Sequence, residues 1–133
     1  MKYFEIEYNA LTEIVIKSAI EVHKELGPGL LESVYEMCLI KLLKKQCLHV
    51  ESQIKVPLVF QKETLDKHFI LDLLINEVLV IEIKSVEKVL PIHEAQLVTY
   101  LKLSGKKLGL LINFNEELLK SGIRRRINGD LNE

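Results

Sequence analysis

The stretch Val78-Leu79-Val80-Ile81-Glu82-Ile83-Lys84 constrains this chain more than any other. Its four leading apolar residues read as a strand covered on both faces, the kind found inside a sheet. Side chains alternate along a strand, so Glu82 and Lys84 emerge on one face, about 7 Å apart. An ionised carboxylate in such a setting is costly unless something pairs with it. Either Lys84 is its structural partner, or the two belong to a site.

With 133 residues, the chain is read as one domain, residues 1–133, long enough to bury a core. No apolar run approaches ~18 residues and no signal core opens the sequence, so no membrane span and a cytoplasmic location are expected. The net charge of −1 argues against coating nucleic acid by charge alone. It leaves room for a nuclease whose acidic site is balanced by metal ions. The basic groups Lys102, Lys106, Lys107 and Arg124-Arg125-Arg126 read, each by itself, as solvated surface. Cys38 and Cys47 lack metal-ligand spacing and read as plain thiols.

Met1 to Tyr8 alternates weakly and suggests an extended arm. From Asn9, a plausible N-cap, to Leu26 the stripe Leu11, Ile14, Val15, Ala19, Val22, Leu26 predicts a helix, stopped by Gly27-Pro28-Gly29. A second helix is expected from Leu30 to Lys45, buried through Leu31, Val34, Cys38, Leu42 and Leu43. Glu32, Tyr35 and Glu36 lie close to that face. The period then becomes two. Ile54 to Gln61 predicts a strand that Pro57 confines to an edge or a bulge. Lys62 to Thr64 forms a turn, and Phe69 to Ile75 a second strand carrying Asp72. Asn76-Glu77 turns the chain into the Glu82 strand. Pro91 opens a helix to Ser104, closed by Gly105, with Ala95, Leu97, Val98 and Leu101 as packing and His93, Gln96, Tyr100 as a polar stripe. Lys107 to Phe114 supplies a fourth strand, and the tail gives no clear pattern.

The expected fold is therefore α/β: an αβββαβ core whose mixed four-stranded sheet is flanked by helices. Parity supplies a test of the site. A two-residue loop at Asn76-Glu77 would set Asp72 opposite Ile81, pointing away from Glu82. A three-residue loop, Asn76-Glu77-Val78, or an equivalent bulge, pairs Asp72 with Glu82. Two carboxylates and a lysine so grouped suit Mg²⁺ or Mn²⁺ with a phosphate substrate. The metal would activate water against the phosphate, and Lys84 would orient that water or stabilise the developing charge.

Asp72, then Glu82-Ile83-Lys84 after a hairpin on this frame, resembles the PD-(D/E)XK nuclease superfamily. Gly29-Leu30-Leu31-Glu32-Ser33-Val34-Tyr35 is similar to the GxxExxY signature of one small-protein branch. Leu26-Gly27-Pro28-Gly29, Leu90-Pro91, Ala95-Gln96-Leu97-Val98-Thr99-Tyr100-Leu101 and Leu110-Leu111-Ile112-Asn113-Phe114 resemble it too, so the likeness runs from Leu11 to Arg126. It implies a restriction-endonuclease-like fold, with Asp72 and Glu82 as metal ligands, the Ile83 carbonyl as a third, and Lys84 as the catalytic lysine. Glu32 would be a further carboxylate at the metal. Gln96 and Tyr100 match a Q-x-x-x-Y element that lines the active site beside DNA. Two positions depart from the pattern: Ile70 stands where relatives often carry a basic residue, and Asn76-Glu77 turns without a glycine. The implied activity is hydrolysis of phosphodiesters in DNA, with RNA second. The rival class is a non-catalytic module that binds nucleic acid or protein on the same scaffold. A homodimer pooling modest positive patches is a further option for the assembly.

Overall fold

A computed structural model describes residues 6–131. Helices α1 (Tyr8–Leu26) and α2 (Glu32–Lys45) lead into strands β1 (Val50–Phe60), β2 (Glu63–Ile75) and β3 (Leu79–Lys84). Helix α3 (Pro91–Ser104) and strand β4 (Leu108–Asn113) follow, then a short 3₁₀ turn (Leu119–Gly122) and strand β5 (Ile123–Ile127). The strands lie in the order β1-β2-β3-β4-β5. Only β3 and β4 run parallel, joined through α3, while the other neighbours are antiparallel. The result is the expected α/β fold, consistent with a restriction-endonuclease-like frame.

The sheet has five strands, where four were expected. The fifth is Ile123-Arg124-Arg125-Arg126-Ile127, pairing with β4 from Leu108↔Ile127 to Ile112↔Ile123. Three consecutive arginines hide the strand from a hydrophobicity pattern. An edge strand tolerates them because one side of its backbone and much of its side-chain surface stay in water. β1 and β2 also reach further than their apolar runs, starting at Val50 and Glu63. There the cross-strand ladder, and not burial, extends the hairpin.

One face of the sheet packs under α1 and α2, where Leu11, Val15, Ala19, Tyr35, Leu39 and Leu43 meet Leu73, Ile75, Leu79, Ile81 and Ile112. The other face packs under α3, where Leu97 and Leu101 meet Leu74, Val80 and Leu111. α3 comes close because β4 offers Gly109: a Cβ there would stand 2.8 Å from Leu97 Cδ1. Of the packing residues expected on α3, Leu97 and Leu101 are buried, while Ala95 is exposed and Val98 half-buried.

The rotation of α2 differs from the expected one. Its buried seam is Tyr35, Leu39 and Leu43, with Leu31 74% exposed. The Tyr35 ring stacks on Phe114 of the chain after β4, centroids 4.5 Å apart, and this aromatic pair outweighs the aliphatic stripe in setting the helix face. α2 begins at Glu32, two residues later than expected, because the Leu30 N–H donates to the Tyr35 hydroxyl at 3.1 Å. α1 starts at Tyr8 with Glu7 at its N-cap, so Asn9 lies inside the helix, where its Oδ1 accepts from Arg125 Nη2. The arm expected over Met1–Tyr8 falls mostly outside the described residues. Cys38 is half-buried and Cys47 exposed, both as free thiols. No helix among the described residues is long and apolar enough to cross a membrane.

Candidate active site

β2 and β3 pair over Leu73↔Ile81, Leu74↔Val80 and Ile75↔Leu79, so the loop between them is the three residues Asn76-Glu77-Val78. This is the odd offset that sets Asp72 across from Glu82. Asn76 and Glu77 accomplish the turn without glycine by adopting left-handed φ values of 51° and 61°. Asn76 is suited to that region and is tied in place: its Oδ1 accepts from His49 N–H, and its own N–H donates to the His49 carbonyl, both at 2.8 Å.

Past Leu73↔Ile81 the two strands part. β2 continues with β1 alone and β3 with β4 alone. Asp72 and Glu82 stand in this fork and bridge it with their side chains. Asp72 Oδ2 accepts from the Ile83 N–H at 2.8 Å, and Glu82 Oε1 accepts from the Asp72 N–H at 3.3 Å. Glu82 is 5% exposed. Its burial, and next the negative charge of Asp72, push its pKa up to about 8. Lys84, half-buried at the end of β3, pulls the other way through space but forms no ion pair among the described residues.

Glu32 is brought to the same place by a clasp around the turn before α2. The Tyr35 hydroxyl donates to the Gly27 carbonyl at 2.6 Å while accepting from Leu30. Ser85, next after Lys84, donates its Oγ–H to the Leu30 carbonyl at 2.6 Å and its N–H to Glu32 Oε2 at 3.3 Å. Glu32, Ser33, Glu36, Gln53, Asp72 and Ile83 line a cavity of about 260 Å³ beside the fork. Two larger cavities elsewhere are lined by none of Asp72, Glu82 or Lys84. We therefore place the site by its chemistry and not by size.

On the other flank, Tyr100 stacks on Phe69 at 4.5 Å. Burial, then the charges of Glu82 and Asp72, raise its hydroxyl pKa, which marks its nearness to the fork. Gln96, one turn earlier, is exposed and makes no bond to Tyr100 among the described residues. His93 caps α3, its Nδ1 accepting from the Leu90 N–H at 3.0 Å.

Two residues beyond those given a role in the sequence, Gln53 and Asn113, belong to this neighbourhood together with Glu36. Gln53 stands across from Asp72 in a gap of the β1–β2 ladder, with a left-handed φ of 51°. Its Nε2 donates to Glu36 Oε1 at 2.9 Å. Burial raises the Glu36 pKa, the Gln53 bond pulls it partly back, and Asp72 and Glu32 add to the rise. Asn113, fully buried and paired with Lys84 in the β3–β4 ladder, grips Val86: its Oδ1 accepts from the Val86 N–H and its Nδ2 donates to the Val86 carbonyl. An asparagine ending an apolar strand was a readable signal for such a splint. Gln53 carried none, since only the register sets it against Asp72.

A family model described as the PD-(D/E)XK nuclease superfamily matches residues 9–126. No curated protein and no solved structure matches the chain. With the match spanning both flanks of the fork and nearly the whole fold, the chain belongs to the PD-(D/E)XK nuclease superfamily.

Proposed function

We propose that this protein is a metal-dependent nuclease of the GxxExxY branch, hydrolysing phosphodiester bonds of DNA in preference to RNA. The observation that carries this reading is Glu82: a carboxylate inside the sheet, against a second carboxylate, with no cation bonded to it. An arrangement that costs stability and serves no packing need is characteristic of a functional site.

The donor set fits Mg²⁺ or Mn²⁺. Among the described residues, no three acidic, histidine or cysteine side chains form a ready metal cage. These ions do not require one, because they keep several waters and take one or two carboxylates plus substrate oxygens. Asp72 and Glu82 would hold the ion, with the Ile83 carbonyl and Glu32 as further oxygen donors. When bound, it supplies Lewis acidity at the phosphate and makes a nearby water more acidic. Lys84 directs its ammonium at the charge that develops on the phosphate oxygens or orients the attacking water. Asn113 holds the exit of β3, and with it the position of Lys84. Tyr100 and Gln96 line the substrate side, the tyrosine ring already fixed by Phe69.

The second reading is a recognition module with a silent site. It is favoured by the near-neutral charge and by the engagement of Arg124 and Arg126 with Glu94. A panel of labelled DNA and RNA substrates with Mg²⁺ or Mn²⁺ separates the two. The nuclease reading expects metal-dependent cleavage that Glu82→Ala abolishes. Binding without cleavage in any arm supports the module.

A further inference from the structure

The basic groups most visible in the sequence are largely committed inside the protein. Lys106 Nζ donates to the Glu77 carbonyl and Lys107 Nζ to the Asp130 carbonyl. Arg124 and Arg126 engage Glu94, and Arg125 donates to Asn9. A nucleic-acid strand entering the fork must be held by other cations.

The outer part of the β1–β2 hairpin has two unlike faces. Ile54, Val56, Leu58, Phe69 and Leu71 turn toward the α3 side of the core. Gln53, Lys55, Pro57, His68 and Ile70 are exposed on the other. The register sets Lys55 across from Ile70 and Pro57 across from His68, next to Gln53 across from Asp72. Lys55 is thus one pleat repeat, about 7 Å, out from the Asp72 position on an open face. That step is close to the spacing of successive phosphates in an extended strand. Among the described residues the Lys55 side chain has no ion pair or hydrogen bond. Its stem can lie over Ile70, itself 39% exposed, and leave the ammonium at the mouth of the fork.

We infer that Lys55 is a phosphate-binding residue that grips the nucleic-acid backbone one nucleotide from the bond held at Asp72 and Glu82. This rests on the nuclease reading above. A compact ammonium suits the task, since it neutralises a phosphate without demanding a particular base.

The test is anisotropy of a labelled single-stranded oligonucleotide on the full chain, with EDTA present so that nothing is cut, over a series of KCl concentrations. Loss of one phosphate contact makes the slope of log K against log salt shallower by about 0.7. Lys55→Ala is expected to show this change and a several-fold weaker affinity, while Lys45→Ala, at the end of α2, keeps the wild-type slope. Lys55→Ala/Ile70→Lys moves the cation across the ladder, between two exposed positions, and is expected to restore it. An unchanged slope in Lys55→Ala overturns the inference, as does an equal loss in Lys45→Ala. Either result leaves the nuclease reading to its own cleavage assay. Wild-type protein that does not bind the strand also overturns the inference, and the cleavage assay with Mg²⁺ or Mn²⁺ still decides the nuclease reading by itself.

Discussion

Asp72 and Glu82 clasp each other across the fork between β2 and β3, each using its side chain on the other strand's backbone. Glu82 Oε1 accepts from the Asp72 N–H, and Asp72 Oδ2 accepts from the N–H of Ile83, the residue after Glu82. The clasp replaces the ladder bonds lost where the strands separate. It therefore fixes two carboxylates at a place where the sheet itself is open. Backbone donors satisfy one oxygen of each and leave the others able to face an ion or a substrate.

Lys84→Ala should remove the cation aimed at the developing charge. Loss of one such group lowers turnover by roughly 10²–10³-fold. Lys45→Ala should leave the rate unchanged. Steady-state cleavage with Mn²⁺ checks this, and activity that survives in Lys84→Ala would trace to a contaminant.

Metal binding can be read without catalysis. Mn²⁺ at about 100 times its dissociation constant should stabilise the wild type by about 2.7 kcal/mol. Asp72→Ala should lose that gain, and Glu32→Ala part of it, in thermal melts. An undiminished shift in Asp72→Ala would show that the ligand assignment is wrong.

The pH dependence follows from Glu82, whose folded pKa of about 8 lies above its ordinary value of 4.5. Below 4.5 the group is protonated in both states, and its folded environment costs nothing. As pH rises toward 8 the unfolded chain releases the proton while the folded one retains it. Metal-free stability should therefore fall across that window, with a slope approaching about 1.4 kcal/mol per pH unit from this group. Glu82→Gln should flatten the difference, measured by urea denaturation of both proteins at several pH values. Metal binding near neutral pH should also release a proton, seen by calorimetry in buffers of different ionisation enthalpy.

Tyr35→Phe keeps the stack on Phe114 but removes the hydroxyl that joins Gly27 to Leu30. Leaving those backbone groups without their partner should cost about 1–3 kcal/mol. Since the same turn carries Glu32 to Ser85, the Mn²⁺ affinity should weaken as well. A variant with wild-type stability in denaturant would remove the clasp from this account.

The sequence by itself determined the class of fold and the order of its first seven elements, and it reduced the turn before Glu82 to two loop lengths, between which the β2–β3 register chose the odd one. It could do so because apolar periodicity, Gly and Pro punctuation and strand parity are local properties, written within a few residues of where they act. Tertiary structure decided the rest. β5 exists because β4 offered an edge to a segment too charged to declare itself. The face of α2 was chosen by Tyr35 meeting Phe114, 79 positions away in the sequence. Gln53, Glu36 and Lys55 acquired their places around Asp72 from cross-strand register and from helix packing. Glu82 and Lys84, neighbours on one strand face and suggestive as a pair, differ in burial: the carboxylate is enclosed against Asp72, and the half-buried lysine has no ion-pair partner among the described residues.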